Sequence, residues 1–140
     1  RRLRPESAWT VLRLAGIYGP GRIPRLADVR AGRPIASSGS GYLNLIHVDD
    51  AAVAALATSP DTPERLYVVA DDRPVLRSEY YGYVAQVCGA PKPTFFEPGP
   101  GASARMRSES NKRIWNRRMK RDLVPTLKYP SFREGLRGLL

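Results

Sequence analysis

The 140-residue chain carries 23 Lys and Arg against 13 Asp and Glu, a formal charge of +10, with 42% hydrophobic residues; this length suits one compact region, and the ordinary apolar and charged fractions exclude global disorder and collagen-like repetition. A lone cysteine, Cys88, and a lone histidine, His47, exclude a disulfide-stapled secreted domain and a His-rich zinc module. No apolar run approaches the ~20 residues of a membrane span, and Arg1-Arg2-Leu3-Arg4-Pro5 leads into no signal-type apolar core, so a cytoplasmic protein is expected.

The chain opens on Arg rather than Met, and its first strong apolar run starts within ten residues, which predicts the tail of something longer. Trp9 to Ala15 reads as a buried strand ended by Gly16, and the three Gly and one Pro between Gly16 and Arg22 read as a loop leaving its C-terminal end. A short helix follows over Ile23 to Ala31, closed by Gly32, and Ser37 to Gly41 reads as a turn. Leu43 to Val48 reads as extended, with Asp49 and Asp50 as caps of a helix over Ala51 to Ala57, since carboxylates at a helix start meet free N–H groups and the positive dipole end. Pro60 and Pro63 stop that helix, and Leu66 to Ala70 reads as a second core strand.

Arg77 to Val87 reads as a helix with Tyr80, Tyr81, Val84 and Val87 on its apolar side, stopped by Gly89-Ala90-Pro91. Pro93 to Pro98 reads as a short edge strand and Gly99 to Ser103 as a mobile loop. Asn116 reads as the cap of a helix to about Leu123. Ser131-Phe132-Arg133-Glu134 has capping-box spacing, placing a last helix over Phe132 to Leu140. Strands alternating with helices predict an α/β fold with a mostly parallel sheet.

Charge is uneven along the chain. Residues 1–48 hold eight Arg and two acids, residues 49–97 hold four basic residues and eight acids, and residues 105–140 hold eleven basic residues and three acids. The stretch Arg113 to Arg121 can be read as a nucleic-acid footprint with Trp115 as a stacking ring. The favoured reading is a solvated basic helix face with Ile114, Trp115, Met119 and Leu123 turned to the core, because clustered charge with no recognised binding fold is weak evidence; nucleic acid is therefore not an expected partner. Asp49-Asp50 and Asp71-Asp72 are adjacent pairs, explained by capping or loop solvation rather than by paired acid–base chemistry. No Gly-x-Ser-x-Gly or phosphate-loop motif occurs, and Gly16-x-x-Gly19-x-Gly21, interrupted by Pro20, fails as a dinucleotide fingerprint.

Val11-Leu12-Arg13-Leu14-Ala15-Gly16-Ile17-Tyr18-Gly19-Pro20-Gly21-Arg22 resembles the extended short-chain dehydrogenase/reductases, the NAD(P)-dependent epimerase/dehydratase family. Asn44-Leu45-Ile46-His47-Val48-Asp49-Asp50 resembles that family's Ile-His-Val-x-Asp segment, and Tyr67 to Asp72, Asn111 to Leu123 and Tyr129 to Leu136 follow in the family's order. The resemblance covers almost all of residues 1–140, read as a single region, but only the family's C-terminal, substrate-side half. The glycine-rich phosphate loop and the catalytic Tyr-x-x-x-Lys that the family places ahead of this point are absent, and no Tyr here is followed four residues on by Lys.

The resemblance implies the C-terminal part of a Rossmann-like parallel sheet plus the small substrate-binding portion. It implies an NAD or NADP cofactor for the full-length parent, with Leu14, Ala15, Gly16 and Ile17 beside the nicotinamide and Tyr18, Arg22, Asn44 and His47 bordering a small hydroxyl or carbonyl substrate, sugar-like or otherwise. The Tyr18 to Gly21 segment reads equally as a rigid exit turn, and His47 as an imidazole held by a backbone bond. Leu43 stands where nucleotide-sugar members typically carry a diphosphate-binding Arg, and Leu cannot make such charge-assisted bonds. This chain alone is expected to lack catalytic residues and tight cofactor affinity; its expected partners are the N-terminal half of the same protein and, in a dimer, a second copy. The alternatives are a basic nucleic-acid-binding module and a catalytically inactive scaffold.

Overall fold

The structure is a computed structural model that describes residues 9–97 and 111–140. In chain order the elements are β1 (Val11–Leu14), β2 (Gly16–Tyr18), α1 (Leu26–Arg30), β3 (Ile35–Ala36), β4 (Tyr42–Leu43), β5 (Leu45–His47), α2 (Val48–Leu56), β6 (Leu66–Val69), β7 (Val75–Leu76), α3 (Arg77–Cys88), β8 (Phe95–Phe96), α4 (Arg117–Asp122) and α5 (Phe132–Leu136). Three strand pairs are parallel, β1 with β6, β2 with β5 and β3 with β8, while β4 and β7 pair antiparallel. The α/β class and the parallel pairing match the expectation from alternating elements.

Strand β5 divides the interior. Side chains of a strand alternate between faces, so Leu45 joins a cluster with Tyr18, Ile35, Tyr80, Val84 and Phe132, while Ile46 joins another with Ala54, Tyr67, Val69, Met119 and Leu127. The first cluster packs α1, α3 and α5; the second packs α2, β6 and α4. His47, the last residue of β5, follows the parity of Leu45 and arrives beside Tyr18, its register partner on β2. Helix α3 ends where Gly89 takes a left-handed φ of 65° and the Ala90 N–H bonds the Ala85 carbonyl at 2.8 Å.

Several expectations change. Residues Gly16 to Tyr18 form a strand instead of a loop, because the Gly16 N–H finds the Asn44 carbonyl at 2.9 Å and β5 supplies a ladder that no local sequence signal reveals. The strand expected to be buried, β1, exposes Val11 and Leu14, since among the described residues it pairs on one edge only, with β6. Trp115 is 70% exposed and stacks on the Arg117 guanidinium at 5.0 Å, whereas Met119 and Leu123 do turn inward. Helix α1 begins only at Leu26, and α5 stops at Leu136 because Arg137 is extended and Gly138 has φ 82°. The segment Gly99 to Ser103 lies outside the described residues.

The capping assignments also change. The cap of α2 is His47, whose Nδ1 accepts from the Asp49 N–H at 3.2 Å, while Asp49 and Asp50 sit inside the first turn. Asn116 precedes α4 without a side-chain cap; its amide instead donates to the carbonyls of Ala70 and Asp71 and to an Asp72 carboxylate oxygen, at 2.8–3.1 Å. Ser131 does cap α5, accepting from the Arg133 N–H, and its hydroxyl bonds the Glu134 carboxylate, which holds that carboxyl below its usual range.

Candidate functional site

The C-terminal ends of β2, β5 and β6 converge with the segment Lys128–Ser131. In open α/β sheets such ends are where ligands sit. Tyr18 and His47 meet edge to face, ring centroids 5.3 Å apart, and His47 lies against Tyr129 at 3.9 Å. Because His47 Nδ1 accepts a hydrogen bond it carries a lone pair there, which places the proton of a neutral imidazole on Nε2. The Tyr18 hydroxyl donates to the Ser131 carbonyl at 3.3 Å. Burial, then the carboxylates of Asp71, Asp50 and Glu134, push the Tyr18 phenol upward, so it stays protonated and cannot serve as a base.

Two buried carboxyls complete the surroundings. Asp50 accepts from the N–H groups of Lys128 and Tyr129 at 2.8 and 2.9 Å, tying α2 to the segment that carries Tyr129. Asp71, just beyond β6, is 3% exposed; one oxygen accepts from the Arg73 N–H at 3.0 Å and the other has no partner among the described residues. Burial, opposed by that backbone bond and reinforced by Asp72, Glu134 and Asp50, pushes Asp71 up to about 7. Loop solvation therefore does not describe Asp71.

We expect Asp50→Asn to cost about 2 kcal/mol, since the amide keeps one acceptor and turns a donor toward the other buried N–H. Urea unfolding checks this, and a shift under a quarter of that size contradicts the assigned pair of bonds.

The four residues expected beside a nicotinamide divide between an exposed pair and a pair packed against the second core cluster. Leu14 is 46% exposed and Gly16 is exposed, while Ala15 and Ile17 are half-buried, with the Ala15 N–H bonded to the Val69 carbonyl at 2.9 Å. The residues expected on the substrate side divide. Arg22 is exposed at the end of a turn in which Gly19 and Arg22 exchange two 3.0 Å backbone bonds around Pro20 and Gly21; Gly21 has φ 72°, the conformation a type II turn demands at that position. Tyr18 and His47 are buried behind that turn. Asn44 clamps the incoming segment, donating to the Lys112 carbonyl at 2.7 Å and accepting from the Ile114 N–H at 3.0 Å.

Sequence reasoning passed over Asp71, Ser131 and Gly135 as parts of this cluster. A Cβ on Gly135 would press into the Tyr18 ring, with Cε2 and Cζ both 2.7 Å away. Among the described residues no group of three or more His, Cys, Asp or Glu could hold a metal ion, and no helix is long and apolar enough to cross a membrane.

No family model matches the chain. It is 36% identical over 94 residues to a 3-diazoavenalumate denitrifying reductase from a Streptomyces species, covering 63% of this chain and 31% of that protein. A conserved protein of unknown function from Silicibacter pomeroyi superposes with a TM-score of 0.79 at 36% identity, over 96% of this chain and 49% of that one. An assigned NAD-dependent epimerase/dehydratase from Methylobacillus flagellatus superposes with a TM-score of 0.65 at 27% identity, over 93% and 45%. The fold is Rossmann-like and of the epimerase/dehydratase kind. NAD-bound sugar-nucleotide enzymes share it at 18–23% identity, which establishes the fold alone. This chain spans about half the length of the solved structures it matches and about a third of the reductase.

Proposed function

We propose that this chain is the substrate-side half of an NAD(P)-dependent reductase or epimerase/dehydratase acting on a small hydroxyl or carbonyl compound. The observation that carries the reading is the segment Leu14–Ile17, where β1 runs on into β2: Leu14 and Gly16 are exposed and apolar, while Ala15 and Ile17 pack against the second core cluster and hold them in place. A flat apolar wall fits one face of a nicotinamide, and nothing in the segment would hold its phosphates. Leu14 and Gly16 form that wall, Ala15 and Ile17 anchor it to the second core cluster, Arg22 borders the substrate, and Tyr18, Asn44 and His47 fix the turn and strand ends behind it. A bound nicotinamide supplies hydride exchange; the wall orients its ring and excludes water.

Between the two reactions, reduction is favoured. Leu43 is half-buried in β4 and packs against the first core cluster, so it offers no group to a diphosphate, and the relative at 36% identity is named as a reductase.

The test is a titration of NADH and NADPH followed by nicotinamide fluorescence. The 140-residue chain alone is expected to show no saturable micromolar binding. The polypeptide extended upstream, carrying a glycine-rich loop and Tyr-x-x-x-Lys, is expected to bind one of the two and to oxidise it with a carbonyl substrate. Stoichiometric tight binding by the 140-residue chain would sink the half-site reading.

A further inference from the structure

Trp115 stands as a ridge between two cavities. One, of about 460 Å³, is lined by Tyr42, Arg73, Val75, Arg113 and Phe132 together with two acids; the other, of about 250 Å³, is lined by Leu66, Val68, Arg117 and Arg118. Both acids of the larger cavity are neutralised in place: Asp72 pairs with Lys120 at 2.9 Å and Glu79 with Arg133 at 3.0 Å. In the smaller cavity Arg118 shares Glu64 with Arg121. Among the described residues no carboxylate pairs with Arg73, Arg113 or Arg117. Two of these three guanidiniums are held by aromatic rings, Arg113 over Tyr42 at 4.9 Å and Arg117 over Trp115 at 5.0 Å.

Uncompensated cations therefore lie on both sides of a ring that water reaches over most of its area. An isolated small anion is best held by cations converging on one point. Here they are spread along two hollows that meet at a stacking surface, which suits a chain of regularly spaced phosphates with exposed bases. We propose that this face binds single-stranded nucleic acid, one base stacking on Trp115, with phosphates held by Arg73 and Arg113 on one side and Arg117 on the other. The exposure of Trp115 removes one part of the competing reading, a ring turned into the core. A duplex keeps its bases stacked inside and offers nothing to the ridge.

The chain has two tryptophans, so Trp9→Phe leaves Trp115 as its sole indole reporter. In that background a short oligothymidylate should quench the emission with a Kd on the order of 10⁻⁴ to 10⁻⁶ M at physiological salt and weaken steadily as salt rises. Arg113→Ala and Arg117→Ala should each weaken binding about three- to tenfold and flatten the salt slope, and Trp115→Ala should weaken it about tenfold or more. The indole N–H resonance of Trp115 in the unsubstituted chain provides a readout that needs no variant. Inorganic polyphosphate and a duplex of equal length are the competitors. Unchanged emission and indole shift with oligothymidylate, or equal competition by either competitor, overturns the proposal. Oligothymidylate carries no nicotinamide, so this result and the cofactor titration fail or succeed separately.

Discussion

Gly135→Ala should destabilise the chain by about 3 kcal/mol, at the upper end of what overpacking a filled core costs. The sign is the informative part. Gly135 lies in α5, and helix propensity alone would make alanine better there by up to about 1 kcal/mol. But the added Cβ has no room beside Tyr18, which is fully buried and cannot yield without giving up its bond to the Ser131 carbonyl. Any retreat of the ring also pushes on His47 and on the Gly19–Arg22 turn. Gly82→Ala is the matched control: it too lies inside a helix, α3, a Cβ there meets nothing within 4 Å, and the substitution should stabilise by about 0.5–1 kcal/mol. Opposite signs in urea unfolding confirm the packing of α5 on Tyr18. A Gly135→Ala chain as stable as its parent would falsify it.

Local signals in the sequence foretold the elements and missed the side-chain partners. Periodicity and glycine stops located α3 and Gly89, and the Ser131–Glu134 spacing located the start of α5, because a helix terminus is decided by residues within one turn. The strand at Gly16–Tyr18 was hidden because its bonds go to β5, and glycine content outweighs pairing when only the near neighbours are read. Asp50 shows the same limit: a carboxylate at a helix start suggests a cap, yet this one bonds the backbone of Lys128 and Tyr129, whose approach is set by the whole fold. For the site, the resemblance to the epimerase/dehydratase family indicated which strand ends to examine. It did not indicate that Tyr18 and His47 would be sealed behind the turn, or that Asp71 would be buried beside them. Those facts depend on packing between segments far apart in the chain, Tyr18 against His47 and both against the segment that carries Tyr129 and Ser131.

Asp71 should make the chain lose about 4 kcal/mol of stability between pH 4 and pH 7, because a carboxyl raised from 3.8 to about 7 by burial is bound to its proton in the folded state and free of it in the unfolded one across that interval. The direction follows from proton counting. Below about 4 both states are protonated and the group contributes no slope. As pH rises toward 7 the unfolded chain releases its proton first and is favoured, and above about 7 both states are ionised, so the curve flattens at its lower level. Asp71→Asn removes this dependence: the amide keeps an acceptor for the Arg73 N–H and carries no charge to bury. The quantity to measure is the difference in unfolding free energy between Asp71→Asn and the parent at pH 4.5, 6 and 8, since titrating groups that do not interact with Asp71 cancel in it. That difference should grow in favour of the variant toward pH 8. A constant difference would mean that Asp71 ionises at an ordinary carboxylate pKa, and the buried oxygen without a partner would then need a different explanation.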